Sequence, residues 1–327
     1  MKQGACVSNG TVAIELALRA LGIGAGDEVI VPDLTFGATA NAVLNVGAIP
    51  RFIDVTGDDW GIDPSLLADS VSDKTRGVIL VHLYGAPARS EAVRDFCDAH
   101  NLLLIEDCAE AIGARSAGSH VGSVGDAATF SFFANKAITT GEGGYVTFRD
   151  DQHLESALLI RDHGLSRISN EHYWHAVQGS NMRMTGLQAA LGIAQLERIN
   201  EIVEVKRGIA EMYRSSLEAT EGIKIRGDVG GDTNSHWLSV AILSGNLARQ
   251  RHELRTYLSG AGIESRLGFQ PLHQMPAFAG YHSGRAFPER SSFISGQILC
   301  LPSGARVGPA EVRQVSNAIV EFAGSHS

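Results

Sequence analysis

Several residue types that would specify other kinds of protein are scarce in this sequence. The 327-residue chain has four cysteines, and they form neither a C-x-x-C pair nor a metal-ligand spacing. We therefore expect no disulfide, no metal site and a reducing, cytoplasmic location. No apolar run approaches the ~20 residues that span a bilayer. The opening residues also lack the apolar core of a signal peptide, so we expect no membrane association.

Positive charge is also in short supply. The chain has 27 Lys and Arg residues against 36 Asp and Glu residues, a formal net charge of −9 and a pI near 5.7. Such a field does not attract nucleic acid or an anionic membrane, and we expect neither as a partner. An anionic substrate would need a locally positive pocket.

Lysine is the rarest of the charged residues, and one of the five lysines lies in an unusual context. Lys136 lies in the segment DAATFSFFANKAITTGEGG (residues 126–144), among aromatic, hydroxyl and glycine residues. A lysine amine that burial keeps neutral can form a Schiff base with a carbonyl. Alternatively, its stem covers the aromatic run. The others have ordinary explanations: a terminus, a polar turn, a charged helix face and an outward strand position (Lys2, Lys74, Lys206 and Lys224).

Glycine and apolar residues, in contrast, are abundant. The chain has 37 glycines and 44% hydrophobic residues, enough for a large core, and its length predicts two lobes. We place them at residues 1–205 and 206–327. The first lobe contains predicted strands separated by predicted helices. The strands are 28–32, 49–55, 77–84, 102–107 and 128–133, and the helices are about 37–46, 63–71 and 88–100.

This alternation predicts an α/β fold with a mixed, mostly parallel sheet covered by helices. Later segments predict a long helix at about 186–219 and a small C-terminal α/β lobe with strands at 236–243 and 263–266. Ligands of such sheets bind at the carboxyl ends of the strands. Residues at those ends are therefore the candidates for chemistry.

A phosphate site is indicated where Gly10 and Thr11 begin an apolar-rich helix. The free N–H groups and the dipole of a helix N-terminus attract anions, although a plain helix cap has the same pattern. Ser131, on the strand before Lys136, lies within reach of the same phosphate.

Two further strand ends carry candidate residues. Phe36 would cover the face of a flat cofactor or would be ordinary core. Asp107 would hold a pyridine nitrogen protonated, so that the ring accepts electrons, or would cap the next turn.

Six blocks in order resemble one family. They are SNGT, GDEVIVPDLTF, EDCAEAIGA, GDAATFSFF, NKAITTGEGG and NMRMTGLQAALGIAQLERI, within about residues 7–215. Together they resemble the DegT/DnrJ/EryC1/StrS family of pyridoxal-phosphate-dependent sugar aminotransferases. The resemblance implies the type I, aspartate-aminotransferase-like fold and a homodimer whose active sites are shared between subunits.

The resemblance also implies residue roles. Lys136 matches the lysine that binds pyridoxal 5'-phosphate covalently, and Asp107 matches the partner of the pyridine nitrogen. Phe36 matches the stacking aromatic. Three residues match phosphate contacts, and a fourth matches a residue that reaches the phosphate of the other subunit: Gly10, Thr11 and Ser131, then Asn181.

Two departures from the family pattern are present. Many relatives have glutamine or histidine where this chain has Glu110, and this variant together with SFFANKAITTGEGG looks most like the GDP-perosamine synthase branch. A glutamate there would meet the phenolic oxygen of the cofactor either protonated or through a rearranged contact. Relatives also carry a longer segment before the SNGT turn. We expect either that the chain is a fragment or that its substrate pocket is more open.

The branch implies transfer of an amino group from L-glutamate to a nucleotide-linked keto sugar, with a GDP-4-keto-6-deoxy sugar favoured. Candidates for binding this acceptor are Arg183, Arg266, Arg285 and His273. Alternatives are a cyclitol or antibiotic-precursor aminotransferase and a cofactor-binding regulatory protein without turnover. Dehydratases of the family have histidine at the lysine position, so Lys136 argues against that activity.

Overall fold

The computed structural model describes residues 3–166, 171–281 and 288–325. Its strands are β1 (Gly4–Val7), β2 (Glu28–Pro32), β3 (Ile49–Ile53), β4 (Thr75–Val81), β5 (Leu103–Asp107), β6 (Arg115–Ser116), β7 (Ser119–His120), β8 (Ala127–Ser131), β9 (Gly144–Phe148), β10 (Ile223–Ile225), β11 (Ser239–Leu243), β12 (Arg266–Leu267) and β13 (Ile298–Leu301). Its α-helices are α1 (Gly10–Ala20), α2 (Ala38–Asn45), α3 (Ser90–His100), α4 (Asp151–Arg161), α5 (Gly186–Leu196), α6 (Ile199–Leu217), α7 (Gly245–Arg249), α8 (Arg251–Gly260), α9 (Glu289–Gln297) and α10 (Pro309–Ser325).

The main sheet has the strand order β1-β9-β8-β5-β4-β2-β3. Strands β3, β2, β4, β5 and β8 pair in parallel, and β9 pairs antiparallel with both β8 and β1. Only β9 therefore runs against the other six strands. The carboxyl ends of β2, β5 and β8 meet at one edge of the sheet, which is where the candidate residues lie.

Helices cover both faces of this sheet, and most residues of its central strands β2, β4 and β5 are buried. Every residue of β2 is buried, as expected for a strand with packing on both faces. Helices α1, α2 and α4 contribute to a core on one face, and α3 contributes to a second core against β4 and β5.

A smaller antiparallel sheet, β10-β11-β13-β12, forms the second lobe. Helices α6, α8 and α10 bury apolar residues against it. A further apolar cluster joins the lobes, because Tyr84 of the first lobe packs with Trp237 of the second. This cluster brings second-lobe side chains to the edge of the main sheet.

The predicted α/β fold is confirmed, and the differences from prediction are local. The predicted helix 63–71 is a pair of short 3₁₀ turns, and the predicted strand 77–84 ends at Val81 because Leu83–Gly85 forms a turn. The long helix predicted at 186–219 is two helices, interrupted at residues 197–198. The proposed lobe boundary at residues 205/206 falls inside α6 and stays a prediction.

The expectation for Lys206 was wrong. Instead of lying on a charged helix face, Lys206 is buried, and its Nζ donates to the main-chain oxygens of Trp237 and Ser303. A lysine stem of four methylenes can lie in an apolar interior while its amine reaches carbonyl groups. The local sequence shows that residue 206 is charged, but it does not show that two main-chain oxygens distant in sequence accept hydrogen bonds from it.

Within the described ranges, none of the helices combines the length and the apolar character needed to cross a bilayer.

Candidate active site

A cavity of about 500 Å³ opens at the carboxyl ends of β2, β5 and β8 and at the first turn of α1. Chain topology brings these segments together, although they are up to 126 positions apart between residues 10 and 136. Seven of the predicted site residues line this cavity: Gly10, Thr11, Phe36, Asp107, Glu110, Ser131 and Lys136.

Lys136 lies in the turn that follows β8, and its side chain is only 12% exposed. Its Nζ lies 3.4 Å from Oε1 of Glu110 and 3.9 Å from the centre of the Trp237 ring. The amine therefore meets a carboxylate and an aromatic face inside the cavity. The alternative in which Lys136 covers the neighbouring phenylalanines is not what the structure shows.

Glu110 is buried beside Lys136. Its Oε2 accepts the main-chain N–H of Tyr84 at 2.9 Å. Burial raises the pKa of Glu110, and the charge of Lys136 and the Tyr84 N–H oppose this rise. The protonated carboxyl therefore persists to higher pH than for an exposed glutamate.

Asp107 is the last residue of β5 and is also buried. Its Oδ2 accepts the hydroxyl of Thr39 at 3.0 Å and its Oδ1 accepts the N–H of Ala109 at 3.1 Å. Burial raises the pKa of Asp107, while these hydrogen bonds and the charge of Lys136 act in the opposite direction. A cation placed beside this carboxyl would favour its ionised form.

The neighbouring Glu106 points to the other face of the sheet, as strand alternation requires. It is completely buried and accepts hydrogen bonds from His82, Ser90 and the N–H groups of the turn 122–125. Burial alone would raise the pKa of Glu106, but the hydrogen bond and charge of His82, with the backbone N–H groups, lower it to about 2. This carboxylate ties the turn after β7 to the strand that presents Asp107.

The N-terminus of α1 also faces the cavity, next to the end of β8. Asn9 caps the helix by accepting the N–H of Val12 at 2.9 Å, and Gly10 and Thr11 line the cavity. A Cβ at residue 10 would lie 2.7 Å from the Cβ of Ser131. Only glycine therefore lets the first turn of α1 approach the Ser131 hydroxyl this closely.

Phe36 is 60% exposed although it is a large aromatic residue. Its ring lines the cavity and lies 5.7 Å from the Phe269 ring, measured between centroids. The ring is therefore not ordinary core, and one of its surfaces is free for a flat ligand.

These groups correspond one by one to the parts of pyridoxal phosphate. A helix N-terminus with an adjacent hydroxyl suits a phosphate, and the close approach of Gly10 to Ser131 forms a cradle that a larger residue would fill. A buried acid suits the ring nitrogen, an amine suits the aldehyde, and an exposed aromatic face suits the ring. The residues present fit this cofactor.

Four predicted residues do not line the cavity of this chain. Asn181 is exposed at an isolated bridge with Asp162. The other three each have a carboxylate partner: Arg183 with Asp162, Arg266 with Glu264, and His273 with Asp33. Arg285 lies outside the described residues.

Sequence analysis missed four residues that shape the site. Thr39 donates to Asp107, Trp237 and Phe269 line the cavity from the second lobe, and the buried Tyr84 carries the N–H that holds Glu110. Thr39 lies one turn after Phe36, a spacing that would have indicated it. The other three depend on packing between lobes. Within the part of the chain that the structure describes, no cluster of three or more His, Cys, Asp or Glu residues is arranged for a metal.

Comparison with known proteins extends over almost the whole chain. The family model of the DegT/DnrJ/EryC1/StrS aminotransferases matches residues 1–320. GDP-perosamine synthase of Vibrio cholerae is 40% identical over 322 residues, which are 98% of this chain and 87% of that protein. GDP-perosamine synthase of Caulobacter vibrioides is 38% identical over 98% of this chain and 85% of that protein. The crystal structure of DesV from S. venezuelae superposes with a TM-score of 0.90 at 33% identity, over 98% of this chain and 84% of that one.

Proposed function

The chain belongs to the DegT/DnrJ/EryC1/StrS family of pyridoxal-phosphate-dependent aminotransferases, and we propose that it moves the amino group of L-glutamate to a GDP-linked 4-keto-6-deoxy sugar. The meeting of the Lys136 amine with two buried carboxyls in one cavity carries this proposal. The two synthases at about 40% identity support the choice of acceptor. Four scattered thiols suit a reducing compartment, and we propose the cytoplasm as the place of action.

Six residues would hold the cofactor. Lys136 would bind it covalently, Phe36 would cover its ring, and Asp107 would pair with its ring nitrogen. Gly10 and Thr11, at the N-terminus of α1, and the hydroxyl of Ser131 would hold its phosphate. When bound, the cofactor supplies an electron sink for the negative charge left when an α-proton is removed.

Lys136 also moves the proton. Its free amine would take the α-proton of an amino-acid substrate as general base and would then deliver it as general acid. The Trp237 ring and Glu110 keep this amine inside the cavity, 3.9 and 3.4 Å away. A protonated ring nitrogen beside Asp107 would favour the ionised form of this buried carboxyl. The same residues would act in the reverse order to transfer the amino group to the sugar. The reaction would therefore have two half-reactions and ping-pong kinetics.

Glu110 would contact the phenolic oxygen of the cofactor. Because burial raises the pKa of Glu110, its carboxyl keeps its proton to higher pH than an exposed glutamate, and this protonated form would donate a hydrogen bond to the phenolic oxygen.

A second copy of the chain would complete the site. Helix α5 is strongly apolar, yet none of its residues is buried, and Leu187, Leu191 and Ile193 are 87%, 48% and 59% exposed. An apolar helix face of this kind indicates a protein interface. Gln188 of α5 donates to the main-chain oxygen of Glu142, which lines the cavity. The apolar face is therefore continuous with the site, as a homodimer with shared sites requires.

Asn181, which is exposed next to this face, would reach the phosphate of the partner subunit. Arg183, Arg266 and His273 remain proposals for binding the sugar nucleotide. Each has a carboxylate partner, so binding a diphosphate there requires the cation to exchange partners.

The test separates the two half-reactions. The cofactor-loaded chain is first mixed with L-glutamate alone, and we expect one equivalent of 2-oxoglutarate per site and a change of the cofactor absorbance to that of its amine form. GDP-, dTDP- and UDP-linked 4-keto-6-deoxy sugars are then offered, with mass spectrometry of the product. We expect amino sugar from the GDP-linked acceptor. Absence of 2-oxoglutarate would favour the regulatory alternative, and preference for another nucleotide would overturn the proposed acceptor.

A further inference from the structure

Lys206 is a buried cation held by main-chain oxygens. Only 7% of the residue is exposed, and its Nζ donates to the main-chain oxygens of Trp237 at 3.0 Å and Ser303 at 3.2 Å. Among the described residues, no Asp or Glu forms an ion pair with it. Burial lowers the pKa of Lys206 to about 8. Burying this amine costs free energy of folding. The groups that its hydrogen bonds hold in place therefore indicate its role.

Lys206 holds the main chain of the residue whose ring contacts Lys136. The indole Nε1 of Trp237 donates to the main-chain oxygen of Asn135 at 2.7 Å, and the Trp237 ring centre lies 3.9 Å from the Lys136 amine. The ring also stacks with Tyr84, with 6.2 Å between the ring centroids and an interplanar angle of 10°. Trp237 therefore connects α6 to the reacting lysine across the junction of the lobes.

We propose that Lys206 is a positioning residue that controls the reactivity of the Lys136 amine by fixing Trp237. The inference rests on the proposed function only in taking Lys136 as the reacting lysine. A cation over an indole face is favoured over the neutral amine. Trp237 and the Glu110 carboxyl therefore hold the Lys136 amine in place, and the contact with the Trp237 ring depends on the position of Trp237 that Lys206 maintains.

If Lys206 positions Trp237, its removal loosens the contact between the Trp237 ring and the Lys136 amine. The amine then leaves the ring face more often and is more accessible to a reagent. If Lys206 serves only the packing of α6, the contact and the reactivity of Lys136 stay unchanged. The reactivity of Lys136 therefore distinguishes positioning from packing.

The experiment measures labelling of Lys136 in the full chain freed of cofactor. Trace acetic anhydride at neutral pH acetylates amines in proportion to their neutral fraction and access, and peptide mass spectrometry reads each lysine separately. In Lys206→Met we expect Lys136 to react about three- to tenfold faster, the factor that loss of a partly buried cation–π contact represents. The exposed Lys74 serves as the internal reference, and Lys224→Met, at another exposed position, is the matched control variant.

Coupling is tested in the background of Trp237→Leu. That single variant should also accelerate labelling, and adding Lys206→Met should change the rate no further, because both act on the same contact. Circular dichroism checks folding. If Lys206→Met does not fold, Lys206→Gln is used instead. Its amide can still donate a hydrogen bond to one of the two carbonyl groups, so we expect a smaller increase in the labelling rate of Lys136.

An unchanged or slower rate in the folded Lys206 variant would overturn the inference. Full additivity with Trp237→Leu would overturn it as well. Labelling requires neither amino donor nor sugar, so failure of the proposed acceptor leaves the result intact. Conversely, a negative labelling result leaves the half-reaction with L-glutamate untouched.

Discussion

The Nζ of Lys136 and Oε1 of Glu110 lie 3.4 Å apart in the cavity, with 12% and 5% of their side chains exposed. Burial raises the pKa of Glu110, so this carboxyl can take up a proton when its cationic neighbour is removed. Replacing Lys136 by a residue without an amine should therefore lower turnover far more than it lowers the stability of the fold.

Lys136→Ala should lower turnover by a factor of about 10³ or more, because the general base and the covalent attachment are lost together. Reduction with borohydride should no longer fix the cofactor to the peptide that contains residue 136. The thermal unfolding midpoint should stay close to that of the unaltered chain. Lys224→Ala, at an exposed strand position, is the control, and turnover retained in Lys136→Ala would remove Lys136 from the mechanism.

Gly10→Ala tests the approach of α1 to Ser131. A Cβ there would lie 2.7 Å from the Cβ of Ser131 and 3.0 Å from its hydroxyl oxygen, so one of these groups has to move. Overpacking of this kind costs about 1–3 kcal/mol, and we expect pyridoxal phosphate to bind about ten- to a hundredfold more weakly, measured by fluorescence titration.

Gly208→Ala is the matched control for that substitution. Gly208 lies inside α6, and a Cβ there meets nothing within 4 Å. Alanine should stabilise the helix by about 0.5–1 kcal/mol and leave cofactor affinity unchanged. Equal affinity of the two variants for the cofactor would contradict the phosphate role of the α1 N-terminus.

Acid stability should depend on Glu106. Its pKa in the folded chain, about 2, lies below the ordinary value of 4.5, so its contribution is complete above about pH 4.5 and is lost as the pH falls toward 2. We expect Glu106→Gln to lower the free energy of unfolding at pH 7 by about 3 kcal/mol. Urea titrations at several pH values should show this difference shrinking between pH 4.5 and 2.

The exposed Glu218→Gln is the control for Glu106. It should follow the unaltered chain at every pH. A difference between Glu106→Gln and the unaltered chain that persists at pH 2 would show that Glu106 contributes through packing rather than through its charge.

Mixing two inactive variants tests the shared sites. In a heterodimer of Lys136→Ala and Asn181→Ala subunits, one site receives an intact lysine from one chain and an intact asparagine from the other. Co-refolded mixtures should therefore regain activity that neither parent shows, measured as 2-oxoglutarate release. A mixture as inactive as its parents would place Asn181 and Lys136 in the same subunit's site or remove Asn181 from it.

The exposed apolar face of α5 should be required for dimer formation, which the same mixing experiment can test. Leu187→Asp, at a position that is 87% exposed, leaves the fold of one chain intact but places a charge in the proposed interface. Sedimentation should then show a monomer, and the regained activity of the mixture should disappear.

Local sequence determined the strands and the residues at their ends. The strand predicted at 28–32 is β2 without change, Asp107 ends the predicted strand that became β5, and Lys136 follows the one that became β8. Parallel strands place their carboxyl ends on one edge, so the meeting of Asp107, Ser131 and Lys136 followed from order along the chain. Composition and periodicity were sufficient to predict these strands because each one is a short run of consecutive apolar residues that becomes buried.

The surroundings of those residues were decided by tertiary structure alone. Trp237 reaches Lys136 only because the apolar cluster at the junction of the lobes packs Tyr84 against it. Lys206 is buried because two main-chain oxygens, distant in sequence, converge on its amine. A residue's own neighbours in sequence set its preference for strand or helix, whereas the energy of a buried charge depends on groups that only the folded chain brings near it.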